Sequence, residues 1–123
     1  MSTKLSYALR VLVLVCKLTP STHAYACTGK AAWYGTPRLQ GHKMANGQPF
    51  DRNKNTAASR TLPLGTKIRV FNLKTGRSVV VTITDRGPFT PGRILDLAWA
   101  PAHTIGCTTT GVCTVKYEIV EVP

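Results

Sequence analysis

The sequence predicts an all-β domain, closed as a small barrel or stacked as a sandwich, on three observations. Residues alternate in a strand period: in RSVVVTITD, Val79, Val81 and Ile83 share one face and Val80, Thr82 and Thr84 the other, with β-branched residues throughout. The connection Lys74-Thr75-Gly76 joins that stretch to KIRVFNL, residues 67–73, as a hairpin with glycine supplying a positive φ. Turn chemistry recurs between the strands, in NGQPFD, LPLG and RGPFTPG, so the strands are short and many. A closed barrel would also remove the exposed edges that a small β protein must otherwise protect.

In chain order, residues 1–26 read as an export signal. Lys4 and Arg10 form a basic start, Val11 to Val15 an apolar stretch, and Ala24-Tyr25-Ala26 an A-x-A cleavage site. The apolar stretch falls short of the roughly 20 residues a spanning helix needs. Cleavage would make residues 27–123 one domain starting at Cys27. That cysteine is then open to three fates: lipid attachment, a free thiol, or an intermolecular bond. Short strands are expected at KAAWYG and RILDLA and a longer one at CTVKYEIVEV, where Val115, Tyr117 and Ile119 oppose Thr114, Lys116 and Glu118. APAHTI should make one or two helical turns after Pro101. Cys107 and Cys113 flank TTTGV and are expected to pair in an oxidising compartment. The cysteine spacing does not suit zinc, and neither a metal nor a cofactor is expected.

The net charge is +11, from 16 basic and five acidic side chains. Lys4, Arg10 and Lys17 leave with the signal, so thirteen bases face five acids, a balance of +8. Such a surface favours an anionic partner. Export and the lack of a recognition helix or stacking motif argue against nucleic acid, leaving anionic wall polymers or lipid headgroups.

The segments AAWYG (31–35), ANGQPFD (45–51), RTLPLGTKIRVFNLKTGRSVVVTITDRGPF (60–89) and GRILDLA (92–98) resemble, in order and spacing, the rare lipoprotein A family. The resemblance spans nearly all of residues 30–122. It implies a six-stranded double-psi β-barrel with one or two short helical turns, related to the expansin and barwin-like barrels. It also implies an envelope or secreted protein that cleaves peptidoglycan glycan strands as a lytic transglycosylase. A monomer is expected, with membrane anchoring only through a lipid on Cys27.

Asp85 ends a strand at a Gly87-Pro88 turn, which puts a carboxylate at a barrel rim. It is the expected proton donor and acceptor, with Asp51 of ANGQPFD organising the site or stabilising charge. The alternatives are that Asp85 stabilises its own turn or pairs with Arg86, and that Asp51 caps the segment after it. Asn46, Gln48, Ser59, Arg86 and Tyr34 are the expected substrate contacts, Tyr34 by stacking on a sugar ring unless it belongs to the core. Two positions depart from the family pattern: Gln48 stands where Glu is common, and Ser59 where His is common. Neither replacement can shuttle a proton near neutral pH, so a glycan-binding barrel without turnover is the alternative.

Overall fold

The computed structural model describes residues 16–18, 25–34 and 37–123. Its strands are β1 (Cys16–Leu18), β2 (Tyr25–Trp33), β3 (Thr56–Ala58), β4 (Lys67–Asn72), β5 (Ser78–Asp85), β6 (Arg93–Leu97) and β7 (Val112–Glu121). A 3-10 turn, Pro37–Leu39, follows β2, and a helix, α1 (Trp99–Thr104), follows β6. Six strands close in the order β2-β6-β3-β5-β4-β7, because β7 pairs with both β4 and β2. The β2–β6 and β3–β5 pairs are parallel and the other ring pairs antiparallel. This is the six-stranded barrel the resemblance implied. Among the described residues no helix is long and apolar enough to cross a membrane.

Alternation fills the barrel. Ile68 and Val70 of β4, Val79, Val81 and Ile83 of β5, Leu95 and Leu97 of β6, and Val115 and Tyr117 of β7 are all buried. Each large apolar side chain withdrawn from water contributes roughly 1.5–3 kcal/mol, so these inward rows supply the main drive for closure. Thr84 breaks the alternation: it is buried although it sits on the face opposite Ile83, because its hydroxyl donates to Met44 Sδ at 3.3 Å under the 44–48 loop. That loop belongs to a second apolar cluster of Met44, Phe50 and Ala98, with Tyr34 and Leu39 packed against it.

Three elements differ from the sequence expectation. β2 starts at Tyr25 instead of Lys30: ACTGK has no apolar alternation, but Ala26 to Ala32 pair continuously with β7. Gly29 is required there, since a Cβ would lie 2.8 Å from Ile94 Cγ2. β3 is three residues long, too short for a period to register, yet it bridges β5 and β6. α1 starts at Trp99, two residues before Pro101. A proline fits the first helical turn, whose N–H groups lack intrahelical partners anyway.

The hairpin tip is fastened to the end of α1. Buried Asn72 donates Nδ2 to Ile105 O at 2.8 Å and accepts from Lys74 N at 2.9 Å, while Thr75 Oγ1 donates to the same Ile105 carbonyl at 2.9 Å. The expected Cys107–Cys113 disulfide is present, with Cα atoms 5.7 Å apart.

The export-signal reading falls on residues 1–26, of which 1–15 and 19–24 lie outside the described residues. The described part includes β1, paired antiparallel with Tyr25, Ala26 and Cys27. With residues 1–26 still attached, Cys27 is fully buried in β2 and disulfide-bonded; the three fates concern a chain that starts at Cys27 after cleavage.

Candidate functional site

β5 delivers Asp85 to the barrel rim, and a loop is built onto its end. Asp85 Oδ1 accepts from Ala45 N and Arg86 N, both at 2.9 Å, and Asn46 N donates to Thr84 O at 3.1 Å. Asn46 Oδ1 in turn accepts from Gln48 N at 2.9 Å, which closes the tight turn through Gly47. Asn46 therefore shapes the loop with its side-chain oxygen. Arg86 does not pair with Asp85: its Nη1 donates to Ser59 O at 2.9 Å and Leu62 O at 2.6 Å. Ser59 is buried, and its Oγ accepts from Thr61 N at 3.2 Å and Leu62 N at 3.1 Å. Arg86 and Ser59 thus hold the 59–62 turn beside the site.

A cavity of about 260 Å³ opens at this rim, lined by Tyr34, His42, Lys43, Met44, Asp85 and Asp96 among others. Asp96 was not singled out from the sequence. It lies between buried Leu95 and Leu97 on β6, so the pleat turns it away from the side on which they pack. Its ladder partners are Ala32 and Ala58, whose small side chains leave room over the carboxylate. Burial raises its pKa above the ordinary carboxylate value, against the opposing pull of Arg93. Desolvation favours the neutral form of a half-buried acid, which keeps its proton to higher pH, as a proton donor requires. The legible signal was the interruption itself: an acid in the middle of an apolar strand, RILDL.

Tyr34 completes the cavity. Its ring stacks on Phe50 with centroids 4.7 Å apart, so it is packed as part of the second apolar cluster. Its hydroxyl is buried with no hydrogen-bond partner among the described residues. Burial raises its pKa strongly, and the negative charges of Asp85 and then Asp96 add to the rise. An unpartnered phenol within electrostatic reach of two carboxylates is a donor awaiting an acceptor. Gly87, at φ +128°, forms the lip: the place a Cβ would occupy is 3.7 Å from the Phe89 ring and 4.0 Å from Asp96 Oδ2. Phe89 itself is 77% exposed, an aromatic face on the same lip as Asp96.

Asp51 lines a different cavity, of about 220 Å³, with Asn46, Gln48 and Lys54; Met44 lines both. Asp51 Oδ1 accepts from Asn53 N at 3.0 Å and Gln40 Nε2 at 3.2 Å, and these bonds, the Asn53 one foremost, lower its pKa. It is therefore a turn-stabilising, ionised group beside the site. The carboxylate sharing the Asp85 cavity is Asp96. Trp99 stacks on His103 at 4.8 Å and lies under the Arg52 guanidinium at 4.8 Å, and it lines neither of these two cavities. Among the described residues no group of three His, Cys, Asp or Glu side chains could hold a metal ion.

Residues 26–117 match the family described as lytic transglycolase. The probable endolytic peptidoglycan transglycosylase RlpA of Synechocystis is 52% identical over 93 residues, covering 76% of this chain and 29% of that protein. The endolytic peptidoglycan transglycosylase RlpA of Vibrio cholerae is 43% identical over 95 residues, covering 77% and 36%. The chain thus spans about a third of the length of these curated relatives. In fold it is similar to the apo expansin of Clavibacter michiganensis (TM-score 0.63, 22% identity, covering 80% of this chain and 52% of that one). It is also similar to the Streptomyces papain inhibitor (TM-score 0.62, 23% identity, 78% and 94%). The match over most of the barrel and the identity to the RlpA proteins together establish that this chain belongs to the lytic transglycolase family of double-psi β-barrels.

Proposed function

We propose that the barrel cleaves peptidoglycan glycan strands by lytic transglycosylation outside the cytoplasm. The observation that carries this reading is the shared cavity of Asp85, Asp96 and the unpartnered Tyr34 hydroxyl. Protonated Asp96 donates its proton to the glycosidic oxygen as the C1–O bond breaks. The carboxylate of Asp85 stabilises the positive charge developing at C1. The C6 hydroxyl of the same muramic residue then attacks C1 and returns its proton to Asp96, closing a 1,6-anhydro ring without water. The proton donor expected from sequence was Asp85; burial of Asp96 favours the exchange of roles. Phe89 offers an exposed ring face to a pyranose next to the cleaved bond, and Tyr34 a hydroxyl to a sugar oxygen.

The assay is incubation of the protein with denuded glycan strands, followed by mass spectrometry of the products. New 1,6-anhydromuramic ends, lost on Asp96→Asn and Asp85→Asn, are the expected result. Undiminished product from Asp96→Asn would refute the role given to Asp96.

Gln48 favours a second reading, a glycan-binding barrel without turnover. It stands in the cavity of Asp51 where the family commonly carries Glu, and Ser59 has its hydroxyl spent on a turn. A fold neighbour, a point mutant of the Clavibacter michiganensis expansin, is described in complex with cellohexaose. Binding of glycan strands with no anhydro product from the unsubstituted protein, and product appearing in Gln48→Glu, would select this reading. Export rests on the N-terminal basic and apolar pattern and the cleavage site before Cys27.

A further inference from the structure

A cavity of about 360 Å³ lies beyond the opposite end of β5 from Asp85. It is walled by Lys74 and Thr75 of the hairpin tip, by Thr109, Thr110 and Thr114 around the disulfide loop, and by Lys30 of β2. β5 runs eight residues from near this tip to Asp85, so at ~3.3 Å per residue the two sites stand roughly 20 Å apart. Its charge is one-sided. Asp51, Asp85 and Asp96 line the cavities at the other end, while Glu118 pairs with Lys116 at 3.6 Å and Glu121 with Lys67 at 3.9 Å. Lys30, Lys74 and Arg77 have no ion pair among the described residues. Arg77 Nη1 lies only 3.8 Å from the place a Cβ on Gly106, a residue of the cavity wall, would take.

The walls are fixed before any ligand arrives. The Cys107–Cys113 disulfide closes the threonine loop, Thr110 Oγ1 donates to Cys107 O at 3.5 Å, and Asn72 and Thr75 both hold Ile105 O. Such preorganisation removes much of the ordering cost of binding. Lys30, Lys74 and the hydroxyls of Thr109 and Thr114, which donate to no carbonyl among the described residues, share this lining with Val112 and threonine methyl groups, a match for a carboxylate carrying a small apolar side chain. A phosphodiester brings the charge but not the apolar group.

We propose that this cavity binds the free C-terminal carboxylate of a short peptide borne by the wall polymer; the anion site stands alone, and its source in the wall rests on the proposed function. At roughly 20 Å from the carboxylate cavity it would hold the barrel to one strand while a neighbouring strand is cut, raising the effective concentration of cleavable bonds.

The test is an NMR titration of the full chain with N-acetyl-D-alanyl-D-alanine, its C-terminal amide, and sodium phosphate. The peptide acid should shift the amides of Thr75, Thr109, Thr110 and Thr114 saturably, and the peptide amide should not. Lys30 and Lys74 are exposed, so Lys30→Gln with Lys74→Gln should leave the spectrum of the fold intact and weaken acid binding at least tenfold. Asp96→Asn, which removes the proposed cleavage, should bind the acid as the unsubstituted protein does, so the two readings fail separately. Equal binding of the amide, phosphate saturating these residues while the acid does not, or shifts confined to the Asp85 end would overturn the proposal.

Discussion

Replacing Tyr34 by phenylalanine should make the protein more stable and less active at once. The substitution removes one oxygen and keeps the ring, so the stack on Phe50 at 4.7 Å and the packing of the second cluster survive. What is lost is a buried hydroxyl without a partner among the described residues, near two carboxylates. A buried polar group left unsatisfied costs about 1–3 kcal/mol. Taking the lower end, because the cavity is open to solvent on one side, the gain is about 1 kcal/mol. For a domain of this size that corresponds to a rise in Tm of roughly 4–8 °C. Thermal unfolding followed by circular dichroism measures the first effect and anhydromuramic product formation the second. A fall in Tm would show that the hydroxyl is satisfied in the folded protein, and the argument that it is held ready for substrate would collapse. A rise in Tm with activity unchanged would remove Tyr34 from the site while leaving the energetics intact.

Asp96→Asn should alter the pH dependence of stability. The folded-state pKa of Asp96 is raised, so the unfolded chain ionises first as pH climbs past about 3.9, and stability is lost from there through the raised value. Urea midpoints should therefore favour the Asn variant at pH 7 and converge below about pH 4; a gap that persists at low pH would contradict burial of the carboxyl as its origin. Asn72→Ala should cost about 2–3 kcal/mol, because it orphans Lys74 N–H while Ile105 O keeps only Thr75. Thr75→Ala should cost about 1 kcal/mol, leaving Asn72 in place, and equal losses in urea unfolding would show that the tip is not organised around Asn72. Gly29→Ala should cost about 1–3 kcal/mol by pressing its methyl on Ile94, and Ile94→Ala should relieve that strain in a double-mutant cycle; additive losses would argue against the close approach.

The sequence alone determined the elements whose signal is local. β5 alternates because one face meets the barrel interior, the Lys74-Thr75-Gly76 turn bends because glycine accepts positive φ, and Cys107 and Cys113 close a loop of six positions. Asp85 was legible at the rim for the same reason: a strand ends there and a glycine-proline turn begins. Tertiary structure decided what depends on groups far apart in the chain. Three-residue β3 exists because β5 and β6 offer it partners on both sides, and β2 extends back to Ala26 because β7 does. The choice of Asp96 over Asp51 as the neighbour of Asp85 follows from that closure, which lays β6 and the end of β5 on either side of Ala58. Burial then separates the acids: Asp51 is held ionised by its own turn and Asp96 is desolvated, although a sequence writes both as the same letter. Desolvation and the fate of a hydroxyl such as that of Ser59, consumed by two backbone amides, belong to the surroundings of a side chain, and only closing the barrel creates those surroundings.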